Sequence, residues 1–152
     1  MSRMVASAGG AGFVPVAPGT FGSLLAVLFG TGLLGLGWWV LACAAAAATV
    51  GGWWAVRQAV TDPGADPGWV VVDEVAGQWI AMLAVPSLGW PWLLAAFALF
   101  RLFDITKPGP VGWADRQTGR WGGAWGIMAD DVLAGASAAV VLLLARWVLA
   151  AV

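Results

Sequence analysis

The 152-residue sequence contains no histidine, no tyrosine and one cysteine, Cys43. Without an imidazole group, Ser-His-Asp triads and phosphohistidine intermediates are excluded. One thiol cannot form an intrachain disulfide or a thiolate zinc site, and haem ligation is excluded as well. The ionisable groups left for chemistry are seven Asp, one Glu, six Arg and one Lys.

Charge is scarce as well. Charged residues make up 10% of the chain and hydrophobic residues 61%, whereas about a quarter of a soluble domain is charged. No charged residue lies between Arg3 and Arg57, a stretch longer than two bilayer crossings of about 20 residues each. The composition therefore predicts a polytopic membrane protein. The seven basic residues are dispersed, which excludes a nucleic-acid surface and nucleic acid as a partner.

Glycine, proline and polar stretches divide the chain into about five apolar segments. They begin near Phe21, Trp38, Trp69, Trp92 and Val132. Three of them are short, so one or two are expected to be buried or re-entrant instead of spanning the bilayer. The sequence predicts an all-α membrane helical bundle, formed as a single domain by residues 1–152.

The glycine-rich N-terminal residues predict a loop, after which Thr20 would cap the first apolar helix. Most basic residues fall on one predicted side of the membrane, which the N-terminus shares with the polar segments 61–68 and 104–131. Because short cytoplasmic loops carry the excess of Lys and Arg, that side is expected to be cytoplasmic. Arg146 is the exception, and the C-terminus is expected on the opposite side.

Asp73 and Glu74 are the clearest acidic pair, since they lie among valines and have no counter-charge nearby in the sequence. Carboxylates inside apolar segments cost free energy and are therefore candidates for function. The competing interpretation is an exposed first helical turn, in which the helix dipole favours both carboxylates.

Arg101, Asp104 and Lys107 follow one another at intervals of three residues. This spacing places them on one side of a helix, so intrahelical salt bridges explain them equally well. Asp130 and Asp131 precede the last apolar segment, where one of the two could be an N-cap. Asp115 and Arg116 look like an ordinary loop pair.

Together, these acidic sites and the two cations Arg101 and Lys107 indicate a site for a hard cation and a phosphate. Magnesium prefers oxygen ligands and keeps several waters, which suits scattered carboxylates. The glycine-rich stretches 19–23 and 119–126 add backbone amides, which bind phosphate oxygens at helix starts.

Four stretches of the sequence carry a resemblance to a known family: residues 15–23, 66–79, 100–110 and 122–135. On these motifs, in this order, the chain resembles the bacterial phosphatidylglycerophosphatase A family. The resemblance implies a Mg²⁺-dependent enzyme that hydrolyses phosphatidylglycerophosphate to phosphatidylglycerol and phosphate. It also implies a multi-pass protein of the bacterial inner membrane with its active site facing the cytoplasm. Its partners would be the phospholipid substrate and the membrane, and a homo-oligomer is compatible with it.

The motif residues supply the expected site. The expected metal ligands are Asp73, Glu74, Asp104, Asp130 and Asp131, and the expected catalytic residues are Asp73, Glu74, Asp104 and Asp131. The expected phosphate-binding residues are Arg101, Lys107, Thr20 and Ser23. The segment 117–121 looks about two residues longer than the family spacing, which weakens the case for Asp115, Arg116 and Arg120 as site residues.

A metal-activated water deprotonated by a carboxylate is the simplest nucleophile, and a covalent route through Asp104 or Thr20 stays open. Two non-enzymatic functions compete with the phosphatase. A cation carrier or channel subunit would place the same carboxylates at mid-membrane depth on facing helices. A structural assembly subunit would explain Arg101, Asp104 and Lys107, but not Asp73 and Glu74.

Overall fold

The protein is described from a computed structural model, over residues 1–62, 65–117 and 123–151. These residues form seven α-helices, one 3-10 turn at Ala11–Phe13 and no strand, which confirms the predicted all-α class. The helices are α1 (Ser2–Ala6), α2 (Pro18–Leu36), α3 (Trp38–Ala59), α4 (Val72–Met82), α5 (Trp90–Thr106), α6 (Pro110–Asp115) and α7 (Ala124–Ala150).

Three helices in the described ranges, α2, α3 and α7, are long and apolar enough to cross a membrane. The membrane helical bundle is therefore confirmed. α5 has 17 residues and α4 has 11, and α4 would measure only about 16 Å at 1.5 Å per residue. Of the three segments expected to be short, α4 and α5 are short, whereas α2 has 19 residues and is long enough to span. α4 cannot span the roughly 30 Å hydrocarbon core.

Consecutive long helices run in opposite directions and bring the polar residues to one end of the bundle. Gly37 alone separates α2 from α3, and residues 83–89 connect α4 to α5 at the same far end. The polar end consists of the first turns of α2, α4 and α7, the last turns of α3 and α5, and the short helices α1 and α6. All eight acidic residues of the chain lie at this end or in its loops.

α4 is the central helix of the bundle and packs against α2, α3, α5 and α7. Its buried residues include Ala76, Ala81 and Met82, which are apolar and small or flexible. Gly77 of α4 and Gly135 of α7 mark the closest crossing. A Cβ at Gly135 would lie 2.2 Å from the carbonyl oxygen of Gly77, so only glycine allows these two backbones to approach so closely.

Several predicted boundaries are wrong. The N-terminal residues are not all loop, because α1 and the 3-10 turn form there. Thr20 does not cap the first helix: α2 begins at Pro18, a favoured first position, after a left-handed Ala17. α4 begins at Val72, three residues later than expected.

The start of the last helix differs most from the prediction. α7 begins at Ala124, so Asp130 and Asp131 lie in its second turn and neither is an N-cap. The prediction failed because two adjacent aspartates interrupt the apolar pattern that marks a helix. In the folded chain these aspartates are buried against neighbouring helices and point into the polar end.

Candidate active site

Three carboxylates converge at the polar end. Asp73 and Glu74 come from the first turn of α4 and Asp131 from the second turn of α7, and their oxygen atoms lie within 4.8 Å of one another. Asp73 is 5% exposed and Asp131 is 4% exposed. We call Asp73, Glu74 and Asp131 the acidic cluster. Its geometry could hold one metal ion.

The crossing of α4 and α7 positions this cluster. A Cβ at Gly77 would lie 2.5 Å from the backbone oxygen of Asp131 and 2.5 Å from the ring of Phe100. Because Gly77 has no side chain, the second turn of α7 can rest directly on α4. Asp131 is thereby brought beside the two acidic residues that begin α4.

The electrostatics of the cluster favour a bound cation. Burial raises the pKa of Asp73 and of Glu74, and for Glu74 the nearby Asp73 carboxylate raises it further. Oε2 of Glu74 and Oδ1 of Asp131 are buried and accept no hydrogen bond from any described residue. Buried carboxylates lose the hydration that stabilises their negative charge, and a bound metal ion compensates for that loss.

Asp104 adjoins the cluster from the last turn of α5. It is close enough to Asp131 for the two carboxylates to interact electrostatically, and its Oδ2 is 2.5 Å from Nη1 of Arg101. The same Arg101 nitrogen lies 3.5 Å from the hydroxyl of Ser23 on α2, which is fully buried. The intrahelical ion pair indicated by the sequence therefore exists, and Arg101 also connects α5 to the first motif.

Lys107 follows α5 in a left-handed conformation with φ 47°. It does not pair with Asp104. Instead its ammonium is 2.7 Å from Oδ2 of Asp130 and also binds Asp115. Burial lowers the pKa of Lys107, but the hydrogen bonds to these two carboxylates outweigh burial and hold the pKa above its usual range.

These contacts change the assignment of two acidic residues. Asp130 pairs with Lys107 and is not one of the three clustered carboxylates. Asp115 is more than a loop partner of Arg116, because it lies at the end of α6 and binds Lys107. This contact places Asp115 at the polar end, beside Lys107. Arg120 and the first half of the glycine-rich stretch 119–126 lie outside the described residues.

The first turn of α2 closes the site. A Cβ at Gly19 would lie 2.1 Å from Oε1 of Glu74 and 3.5 Å from Arg101, so the start of α2 touches the acidic cluster directly. Free N–H groups and the helix dipole give such a helix start a partial positive charge. Thr20 is half-buried in this turn, and the buried Ser23 hydroxyl donates to the Gly19 carbonyl at 2.8 Å.

Two polar residues near the acidic cluster are not among the site residues that the sequence predicts. Asp66 lies in the loop before α4, close enough to interact electrostatically with Lys107. Burial raises the pKa of Asp66, and the positive charge of Lys107 partly offsets this by lowering it. Gln78 is fully buried one turn after Glu74. Both lie inside the second motif stretch, residues 66–79. For Gln78, the available sequence signal was a polar glutamine within an apolar helical segment.

The fold and the site together define an integral membrane protein with an acidic centre at one end of a helical bundle. The sequence model of the family described as Phosphatidylglycerophosphatase A matches residues 4–146. The chain belongs to that family, which confirms the resemblance; it is an enzyme, a phosphatase of bacterial membranes.

The names of three curated relatives all describe phosphatases that act on lipid phosphates. The phosphatidylglycerophosphatase A of Escherichia coli is 37% identical over 88% of this chain and 76% of its own length. The same-named protein of Haemophilus influenzae is 42% identical over 88% and 81%. A Bacteroides thetaiotaomicron protein with the provisional name phosphatidylinositol-3-phosphatase is 43% identical over 92% and 90%. No solved structure matches the chain.

Proposed function

We propose that this protein is a Mg²⁺-dependent phosphatase that converts phosphatidylglycerophosphate to phosphatidylglycerol and phosphate at the cytoplasmic face of the bacterial inner membrane. Family membership supports the lipid phosphate as substrate. The observation that carries the mechanism is the convergence of Asp73, Glu74 and Asp131 within 4.8 Å, with free oxygens on two of them.

The residues fit a hard divalent cation. Three carboxylates from two helices offer oxygen ligands only, and Mg²⁺ binds through a few carboxylates while it keeps waters for the remaining positions. Asp104 interacts electrostatically with Asp131 from the end of α5 and would be a further ligand. When bound, such an ion supplies positive charge for the phosphoryl oxygens and lowers the pKa of a water molecule.

The remaining chemistry falls to the side chains around the cluster. Arg101 and the first turn of α2 offer N–H donors on the side of Glu74, where they would bind the phosphate oxygens. Lys107 adds a further positive charge, although two carboxylates already hold its ammonium. Thr20 and Ser23 contribute the hydroxyls of the first motif.

In the hydrolysis step, one carboxylate accepts a proton from water as the water oxygen bonds to phosphorus. The bond between phosphorus and the glycerol oxygen breaks, and the proton returns to that oxygen as the alcohol leaves. Two positive groups near the phosphate, Arg101 and the start of α2, stabilise the charge spread over its oxygens. None of these reaction steps needs a histidine or a cysteine side chain, which agrees with a chain that has no histidine and one cysteine.

The depth of the site suits a lipid headgroup. α7 has 27 residues and measures about 40 Å, roughly 10 Å more than the hydrocarbon core. Because Asp130 and Asp131 lie near the start of α7, we assign the excess to that end, so the acidic cluster would lie near the membrane surface. An apolar groove of about 790 Å³ lies between α3 and α7, and its apolar lining would suit the acyl chains of a lipid substrate.

The same placement argues against an ion path, which needs carboxylates at mid-membrane depth. Here Asp73 and Glu74 begin α4, and Asp104 lies two residues before α5 ends. A different lipid substrate is the stronger second candidate. The 43% identity to the Bacteroides thetaiotaomicron protein favours phosphatidylinositol 3-phosphate.

The test is phosphate release in detergent micelles from each of these two lipids, with Mg²⁺ and with EDTA. We expect release from phosphatidylglycerophosphate that needs Mg²⁺ and falls about 100-fold or more in Asp104→Asn, because charge stabilisation at the site is lost. Asp62→Asn, exposed in the loop after α3, is the matched control and should retain activity. Faster release from phosphatidylinositol 3-phosphate would overturn phosphatidylglycerophosphate as the substrate. Activity in EDTA would overturn the metal mechanism.

A further inference from the structure

Gln78 is a buried amide that the site described above does not use. Its side chain is fully buried in α4. Within the described ranges, neither its amide oxygen nor its amide nitrogen has a hydrogen-bond partner. An unpartnered buried amide destabilises a folded protein. A polar residue buried without a partner at such a position is therefore a candidate for a functional contact.

The position of Gln78 relates it to one member of the acidic cluster. Residues four apart share a helix face, with about 5–6 Å between their Cβ atoms, and Glu74 is four residues before Gln78. The flanking faces of α4 are occupied: Gly77 rests on α7, and the Trp79 indole donates to the Ala26 carbonyl of α2 at 2.8 Å. Gln78 thus extends from α4 on the side that carries the Glu74 carboxylate.

The two side chains also have complementary hydrogen-bonding groups. Oε2 of Glu74 is buried and accepts no hydrogen bond from the part of the chain that the structure describes. The Gln78 amide offers two N–H donors, and glutamine pairs with acidic side chains at this helical spacing. Their spacing of four residues along the helix places the two side chains within reach of each other.

We propose that Gln78 is a positioning residue, whose amide N–H donates to Oε2 of Glu74 and orients that carboxylate for a divalent cation. Ligating carboxylates are generally hydrogen-bonded in turn by neighbouring groups, and loss of such a partner costs about 10–100-fold in metal affinity. The inference rests on the proposed metal site.

The test measures Mn²⁺ binding to the detergent-solubilised protein by electron paramagnetic resonance, together with thermal unfolding without metal. The variant is Gln78→Leu, which keeps most of the volume and removes the polar atoms. We expect Mn²⁺ affinity to fall about 10–100-fold, with an unfolding midpoint without metal that is unchanged or higher, because an unpartnered amide has been removed. The control is Gln58→Leu, exposed on α3, which should leave Mn²⁺ affinity unchanged.

The outcomes separate this inference from the proposed function. If the wild type binds Mn²⁺ and Gln78→Leu binds it equally well, the positioning role is overturned and the metal site stands. If the wild type binds no Mn²⁺, the metal site is overturned and the inference with it. Should Gln78→Leu fail to fold, Gln78→Met takes its place. Failure of both variants to fold would show that the amide serves the fold, which also overturns the inference.

Discussion

Individual residues at the polar end show how closely the site depends on small side chains. Gly19 is the clearest case, because any Cβ there would meet the Glu74 carboxylate. The missing side chain lets the start of α2 touch the acidic cluster, so the backbone N–H groups reach the same space as Arg101. Lys107 is a second such position, because it has a left-handed backbone conformation that few non-glycine residues adopt.

We therefore expect Gly19→Ala to reduce phosphatase activity about 100-fold, since a displacement of about 1 Å at a catalytic group has effects of that size. Gly32→Ala is the matched control on the same helix, because a Cβ there meets nothing within 4 Å. Phosphate release by the two purified variants is the measurement. Equal activity in both would show that Glu74 does not need the close approach of α2.

At the level of elements, the crossing of α4 and α7 is what creates the acidic cluster. α4 is too short to span the membrane, and it is held by four other helices. Gly77 and Gly135 let its backbone meet that of α7, and small residues at crossings are the usual way in which membrane helices pack closely. The separation of these two helices would move Asp131 away from Asp73 and Glu74.

Gly77→Ala tests this crossing. Its Cβ would lie 2.5 Å from backbone and ring atoms, and overpacking of this kind costs about 1–3 kcal/mol. We expect a lower thermal unfolding midpoint in detergent and weaker metal binding. Gly51→Ala on α3, where a Cβ meets nothing within 4 Å, should be at least as stable as the wild type. A Gly77→Ala protein as stable as the Gly51→Ala protein would contradict the role of the crossing.

For the whole molecule, the asymmetric distribution of charge sets the expected orientation. The far end carries Arg146 on the last turns of α7, and the other basic residues of the described chain lie at the polar end. Because cytoplasmic loops retain Lys and Arg, the polar end is expected to face the cytoplasm. There it would meet a lipid substrate whose headgroup projects from the inner leaflet.

Orientation is measurable with single cysteines in a Cys43→Ala background. A membrane-impermeant maleimide added to intact cells with a permeabilised outer membrane should label Ser87→Cys, in the exposed turn between α4 and α5. It should label Arg116→Cys, exposed after α6, only after lysis. The reverse pattern would place the active site in the periplasm.

The sequence by itself determined the class of this protein, because composition and helical apolar segments depend on local physics. Scarce charge and long apolar runs predict a membrane bundle whatever its packing. The motif stretches identified the family and most acidic residues of the site. Helix starts were less predictable, since Asp130 and Asp131 break the apolar pattern while lying inside α7.

The tertiary structure alone decided which acidic residues lie together. Asp73 and Asp131 are 58 positions apart in the sequence, and only the close crossing of α4 and α7 brings them within reach of one cation. The same packing moved Lys107 from the expected Asp104 to Asp130 and Asp115. Such pairings depend on distances between helices, which no periodicity along one chain segment encodes.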